Sequence, residues 1–241
     1  MNPDARTLDD AADGVSFDFG HVLVGLDLDE LAARLRPHAT DLVAVRAAFP
    51  KAYAAHDAIV ADGQGHEAGW RALMRVLVTS AATLPDPDAT VDALWRAQPT
   101  KNLWRHVPAT ARTVLEALAA RDIPMVITSN SEGHLGALVD ELGLTRFFRR
   151  VLDSGALGIS KPDPRMFALA AKTLDVSLAR MVHVGDSEAA DIVGARDAGA
   201  LAIRFDGFVE GARHRPTRAH LRVDDHPTLL QEILRLTGRS A

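Results

Sequence analysis

The chain contains no cysteine, which excludes disulfides, thiolate catalysis and cysteine-ligated zinc. It has no apolar run near the roughly 20 residues that a membrane-spanning helix needs. Charge of one sign is not in excess. A formal net charge of −5 gives no electrostatic reason to expect a nucleic-acid partner. The local basic stretch Arg213, His214, Arg215 and Arg218 reads as a solvated loop. The first fourteen residues carry Asp4, Asp9, Asp10 and Asp13 and lack the apolar region of a secretory signal. Residues 1–14 are expected to form a disordered polar tail, and a cytoplasmic location is the default expectation.

What is present is ample for a core. Apolar residues make up 47% of the 241 positions, so global disorder is excluded. The length is long for one compact domain and short for two independent ones, and a core domain with an inserted module fits it. Short β-prone runs alternate with amphipathic helices in 15–26 and 105–241, the α/β pattern of a parallel sheet. The predicted strands are Val15–Phe19, Met125–Ser129, Arg149–Leu152, Met181–Gly185, Leu201–Phe205 and His220–Val223. Each is short and apolar, as strands covered on both faces are. Leu135, Leu138, Val139 and Leu142 recur at helical spacing before Gly143. Asp163 before Pro164 reads as an N-cap. Leu229, Leu230, Ile233 and Leu234 read as the inner face of a C-terminal helix.

The stretch from Asp27 to Gln98 differs, because no segment of it reads as a strand. Leu28, Leu31, Ala32 and Leu35 form one apolar stripe, and Trp70, Leu73, Met74, Leu77 and Val78 form another. Pro37, Pro50, Gly63, Gly65, Pro85 and Pro87 punctuate the stretch and are expected to separate its helices. The expected organisation is therefore a Rossmann-like α/β core of residues 15–26 and 99–241, with an all-helical cap inserted at 27–98.

Four short motifs fall at the ends of four of these strands, where ligands of open parallel sheets bind. The first is Phe17-Asp18-Phe19-Gly20-His21-Val22-Leu23. A carboxylate ending an apolar strand is costly to bury without a compensating charge. A metal ion compensates it, and an aspartate can also attack phosphorus; a capped turn is the plainer alternative. In the second, Ser129 and Asn130 offer hydrogen-bond donors to a phosphoryl oxygen, or a cap to the next helix. The third sets Lys161 in a proline-stiffened loop, either a balancing charge for anions or an ordinary surface lysine. The fourth places Asp186 at a strand end and Asp191 one turn into a helix. Two hard oxygen ligands so placed suit Mg²⁺, and acidic helix caps are the alternative.

Together, the order and spacing of these motifs resemble the haloacid dehalogenase superfamily, in its branch with a helical cap after the first motif. The resemblance spans essentially residues 15–240. It implies a Mg²⁺-dependent hydrolase of a small phosphorylated, sugar-phosphate-like metabolite that works through an aspartyl-phosphate. It makes Asp18 the nucleophile and a metal ligand, the Gly20 carbonyl and Asp186 further ligands, and Asp191 their support. Ser129 and Asn130 would hold the transferred group and Lys161 would balance its charge. The expected assembly is a monomer or homodimer with no nucleic-acid or membrane partner.

One position departs from the pattern. The phosphatases that the chain resembles carry a second aspartate two residues after the nucleophile, as general acid and then base; here Gly20 stands there. Such catalysis contributes typically about 10²–10⁴-fold. Three readings follow: a substrate with a good leaving group such as a sugar 1-phosphate or acyl phosphate, proton transfer by His21, which reads equally as a loop histidine with no role, or a phospholigand-binding protein with little or no activity. The first two jointly are favoured, because the other phosphate and metal positions are retained. Haloacid dehalogenases attack carbon without a metal, and their pattern has an aromatic residue at the Gly20 position and no Gly-Asp pairing at the fourth motif. Gly185, Asp186 and Asp191 therefore argue against dehalogenation. Selectivity candidates are Tyr53, His56, Trp70, Arg71 and Trp104. Of these, Trp70 also reads as core, and Arg71 and His56 also read as surface.

Overall fold

The computed structural model describes residues 8, 11–208 and 216–239. Strand β1 (Gly14–Phe17) is buried at every position, which requires cover on both faces and a neighbour on each edge. Those neighbours are β4 (Met125–Ser129) and β6 (Met181–Gly185), both parallel to it. With β5 (Val151–Asp153), β7 (Leu201–Phe205) and β8 (Leu221–Val223) they form a six-stranded parallel sheet, in the order β5-β4-β1-β6-β7-β8. The chain builds to one side of β1 and then to the other, so the carboxyl end of β1 is the topological switch point. The α/β class read from the sequence is the observed one.

The bounds of β4, β6 and β7 are those expected, while β1, β5 and β8 differ by one or two residues. Strand β1 stops at Phe17, because Phe19 accepts the backbone N–H groups of Leu23 and Val24 and turns the chain. A further pair, β2 (Gly25–Leu26) against antiparallel β3 (Trp104–His106), has strands too short to leave a periodic signal. These two strands bracket helices α1 (Leu28–Arg34), α2 (Leu42–Ala61), α3 (Gly65–Ala81) and α4 (Pro87–Ala97). Asp27, Asp41 and Asp86 start α1, α2 and α4 by accepting free backbone N–H groups.

Pro50 does not separate helices; it lies inside α2. A proline there forfeits one backbone hydrogen bond. The buried face of Val45, Phe49, Ala52, Tyr53 and Val60 holds the helix together across it. The residues of α3 facing the core, Leu73, Met74 and Leu77, belong to one continuous apolar cluster with Val15 and Phe17 of the sheet. On the C-terminal helix (His226–Leu236) the fully buried face is Leu229, Ile233 and Leu236; Leu230 and Leu234 are only partly buried.

The expected N-terminal tail is shorter than 14 residues. Ala12 is buried, its N–H donates to the Leu236 carbonyl at 2.8 Å, and Asp13 pairs with Arg180 at 2.6 Å. The rest of that tail lies mostly outside the described residues, as do Arg213, His214 and Arg215. Among the described residues, no helix is long and apolar enough to cross a membrane.

Candidate active site

The residue after β1 is Asp18, and its backbone N–H donates to the Val184 carbonyl of β6 at 2.8 Å. That bond fixes the carboxylate at the switch point. From the other side of the sheet end comes Lys161, only 3% exposed. Its Nζ donates to Asp18 Oδ1 at 2.7 Å and to Asp191 Oδ1 at 2.5 Å. Asp186 completes the group: one oxygen from each of Asp18, Asp186 and Asp191 lies within 4.8 Å of the other two. Residues from three separate motifs, at positions 18, 161 and 186–191, thus converge on one point.

Electrostatics follow from this crowding. Burial pushes the Asp186 carboxyl well above the usual range, and the like charges of Asp18, Asp191 and Asp57 push it further, against Arg204. Burial alone would raise Asp191 too, but Lys161 and His183 outweigh it and hold Asp191 below the usual range. Lys161 has the mirror situation. Burial lowers it, and Asp18 and Asp191 more than restore its charge. Three carboxylates share one ammonium, so the set favours a further cation.

The donor set fits a hard divalent ion such as Mg²⁺: carboxylate oxygens with no nitrogen or sulfur among them. The Gly20 carbonyl accepts none of the described backbone hydrogen bonds, so it is free to join them. Asp191 is the most occupied of the three carboxylates. Lys161 and His183 engage its Oδ1, and the Ser187 N–H donates to its Oδ2 at 3.0 Å, which suits a supporting place better than open ligation.

Gly185 makes this packing possible. A Cβ there would stand 2.2 Å from the Asp191 Cβ, so Gly185→Ala cannot be accommodated without moving the carboxylate. The variant is expected to lose about 1–3 kcal/mol in urea unfolding. Unaltered stability would show that Asp191 shifts at no cost.

Two of the expected site residues, Asn130 and His21, line the cavity in settings that the sequence does not announce. Asn130 lines the cavity, and its side-chain amide is also engaged by the lysine loop. Its Oδ1 accepts the Lys161 backbone N–H at 2.8 Å and its Nδ2 donates to the Lys161 carbonyl at 2.9 Å. Asn130 therefore clamps the lysine loop, and both it and Ser129, buried at the end of β4, line the cavity. His21 also lines the cavity, yet its ring is enclosed edge-on by Phe49, Tyr53, Trp104 and Phe208 at 5.0–5.7 Å. Burial, with a smaller contribution from His56, lowers its pKa to about 3. A histidine so depressed is neutral near pH 7, and its remaining N–H is a poor general acid because giving it up leaves an imidazolate.

The space beside Gly20 is already taken. A Cβ on Gly20 would meet the Trp104 ring at 3.2 Å, so the indole of β3 packs where an acidic side chain would begin. Two supporting residues escaped the sequence reading. His183 links Asp191 to Ser16, which in turn donates to Thr128 at 2.8 Å. Asp153 accepts from Ser131 Oγ and from the N–H groups of Gly133, Leu135 and Gly155, tying down the loop after β4. Their signal was a polar residue inside, or closing, an otherwise apolar strand.

Of the selectivity candidates, Tyr53, His56, Trp70 and Trp104 line the cavity. Arg71 does not; it pairs with Glu67 at 2.8 Å and with Asp92 on the outer side of the helices. The helices also touch the sheet end through polar contacts: Ser187 Oγ donates to Asp57 at 3.0 Å, and His66 meets Glu132 at 3.2 Å.

A parallel sheet that gathers carboxylates, a lysine and a serine at its switch point is the architecture of a hydrolytic α/β enzyme. The chain belongs to the haloacid dehalogenase-like hydrolase family, whose model matches residues 12–199. It is 31% identical over 123 residues to (S)-2-haloacid dehalogenase 2 of Pseudomonas sp. strain CBS-3, covering 49% of this chain and 53% of that one. It is 37% identical over 90 residues to phosphoglycolate phosphatase of Neisseria meningitidis, covering 37% and 38% respectively. The chain thus spans about half, or less, of the length of these relatives. Its fold resembles that of the putative hydrolase YfnB from Bacillus subtilis, with a TM-score of 0.69 at 16% identity over 94% of this chain and 99% of that one.

Proposed function

We propose that the chain is a Mg²⁺-dependent hydrolase of a small phosphorylated metabolite, with Asp18 as the nucleophile. The observation that carries this reading is the meeting of Asp18, Asp186 and Asp191 within 4.8 Å, with Lys161 joined to two of them. Dehalogenation of carbon does not call for a divalent cation site; phosphoryl transfer does. The phosphatase among the relatives and the magnesium named for the YfnB structure point the same way.

Asp18, Asp186 and the Gly20 carbonyl would hold the Mg²⁺, with Asp191 behind them. When bound, the ion supplies charge neutralisation between the anionic ester and the carboxylates. Lys161 holds one oxygen of Asp18, which leaves the other to attack phosphorus as the P–O bond to the alcohol breaks. Ser129 sits at the sheet end to receive a phosphoryl oxygen. The aspartyl-phosphate then takes up water, releasing phosphate and restoring Asp18. With Trp104 against Gly20 and His21 neutral, neither position donates the proton that the departing oxygen needs. The reading therefore favours esters whose leaving oxygen departs readily.

An aryl phosphate assay tests the proposal. Hydrolysis is expected to rise with added Mg²⁺, to vanish with chelator, and to return when Mg²⁺ is restored. Equal rates with and without chelator would overturn the reading. So would metal-independent release of halide from a 2-haloacid.

A further inference from the structure

Three polar side chains lie side by side inside the sheet, where aliphatic ones would pack. Ser16 of β1, Thr128 of β4 and His183 of β6 are each 0% exposed. Ser16 and His183 stand in register on neighbouring parallel strands. Ser16 Oγ lies 3.0 Å from His183 Nδ1 and 2.8 Å from Thr128 Oγ1. The series ends on Asp191, whose Oδ1 is 3.0 Å from His183 Nε2. An ionised carboxylate can only accept, so Nε2 is the donor. Burying such groups is costly unless each finds a partner, and valine in their place would fill the strands without that cost. The three therefore call for a reason other than packing, and the oxygen at their end supplies one.

Lys161 holds that same oxygen. Its Nζ meets Asp191 Oδ1 at 2.5 Å and Asp18 Oδ1 at 2.7 Å, so Asp191 Oδ1 is the pivot between the sheet interior and the ammonium. Asp191 sits in a short π-helical turn, Glu188–Val193, a rare geometry seen mostly at functional sites. The turn carries its carboxylate back over β6, against Gly185. The His183 ring is itself held in place. Phe167 meets it T-shaped at 5.2 Å, from the helix Pro164–Leu174 that follows the Lys161 loop. Gly194, just past the π turn, is packed as closely: a Cβ there would meet both Phe167 and Pro162 at 2.9 Å. The segment carrying Asp191 and the loop carrying Lys161 thus close on Phe167, which backs His183.

Resting on the phosphohydrolase reading, we infer that His183 is a positioning residue for the nucleophile. Backed by Ser16 and Thr128, it fixes the Asp191 oxygen. Asp191 in turn fixes the Lys161 ammonium, and Lys161 holds one oxygen of Asp18 so that the other is presented to phosphorus. The same hydrogen bond keeps Asp191 in its supporting place. Without the donor, Asp191 is free to turn toward the cation and to draw Lys161 off Asp18.

Two amides separate this role from ring volume. The side-chain nitrogen of glutamine reaches the place of Nε2, whereas asparagine, a carbon shorter, reaches only the place of Nδ1. His183→Gln therefore keeps the donor to Asp191, and His183→Asn keeps only the contact with Ser16. In turnover of an aryl phosphate with saturating Mg²⁺, His183→Asn should lose about 10–100-fold in kcat with KM little changed. His183→Gln should recover to within about three-fold of the native chain. Calorimetric titration of Mg²⁺ without substrate should rank the three proteins alike, with affinity about ten-fold weaker in His183→Asn. Circular dichroism checks that both variants are folded. If His183→Asn does not fold, Ser16→Ala takes its place, since it removes only the hydroxyl behind the ring. Its kcat should fall by about ten-fold, the low end of the same range. Equal losses in the two folded amide variants, no loss in either, or an unchanged kcat in Ser16→Ala would overturn the inference and leave the phosphohydrolase reading standing. A native chain that takes up no Mg²⁺ in the calorimeter would overturn both.

Discussion

Asp18→Asn is expected to lose at least about 10³-fold in turnover of any phosphate ester, some 4 kcal/mol of transition-state stabilisation. The amide keeps the shape of the carboxylate and the N–H bond to Val184, but it is a poor nucleophile and brings no charge to a metal. The same change relieves crowding, because Asp18 is one of the like charges that push the Asp186 carboxyl upward. It also takes one of two carboxylates from Lys161 and leaves Asp191 at 2.5 Å. The variant should therefore remain folded, with a melting temperature close to that of the native chain. Activity and stability should part company, as they do where an active site stores repulsion. Full turnover in the variant would remove Asp18 from the chemistry. A collapse of the fold would show that its charge is structural.

Lys161→Met should have the largest effect on stability. The side chain is 2% exposed and bridges two carboxylates. Removing one member of a buried ion pair costs ~3–5 kcal/mol, because the remaining charges lose their compensation in a poorly solvated place. Methionine preserves most of the volume, so the loss reads charge and not a cavity. Denaturant titration without metal should show the deficit. Added Mg²⁺ should recover more stability in the variant than in the native chain, since the carboxylates then have no other cation. A stability within about 1 kcal/mol of native would place the pair with weak, solvent-screened contacts.

The two expectations rest on residues that could be found without coordinates, and the reason is physical. Asp18 and Asp186 each close an apolar strand, where an ionisable group demands an explanation, Lys161 stands in a proline-stiffened loop, and Asp191 lies one turn into the helix after Asp186. The parallel sheet was equally legible, because strands buried on both faces are written as short aliphatic blocks. What could not be read depends on long-range geometry. Nothing near His21 in sequence announces Phe49, Tyr53, Trp104 and Phe208, which arrive from three other segments. The filling of the Gly20 side by Trp104 joins residues 84 positions apart (104 − 20). Pro50 misled for a related reason: a local helix-breaking preference yields when the flanking turns are held by tertiary packing. His183 is one polar residue inside an otherwise apolar strand, and that placement is itself the signal.

The paired hydrogen bonds between Asn130 and Lys161 run in opposite directions, one given and one received. A primary amide one methylene from the backbone can serve both at once. Aspartate of the same shape could only receive, leucine could do neither, and glutamine would overreach by a carbon. The identity of residue 130 is thus dictated by peptide groups 31 positions downstream. Slow hydrolysis of that amide to an acid would undo the clasp from within, setting two oxygens of like partial charge face to face and loosening the one ammonium ion on which the anionic centre leans.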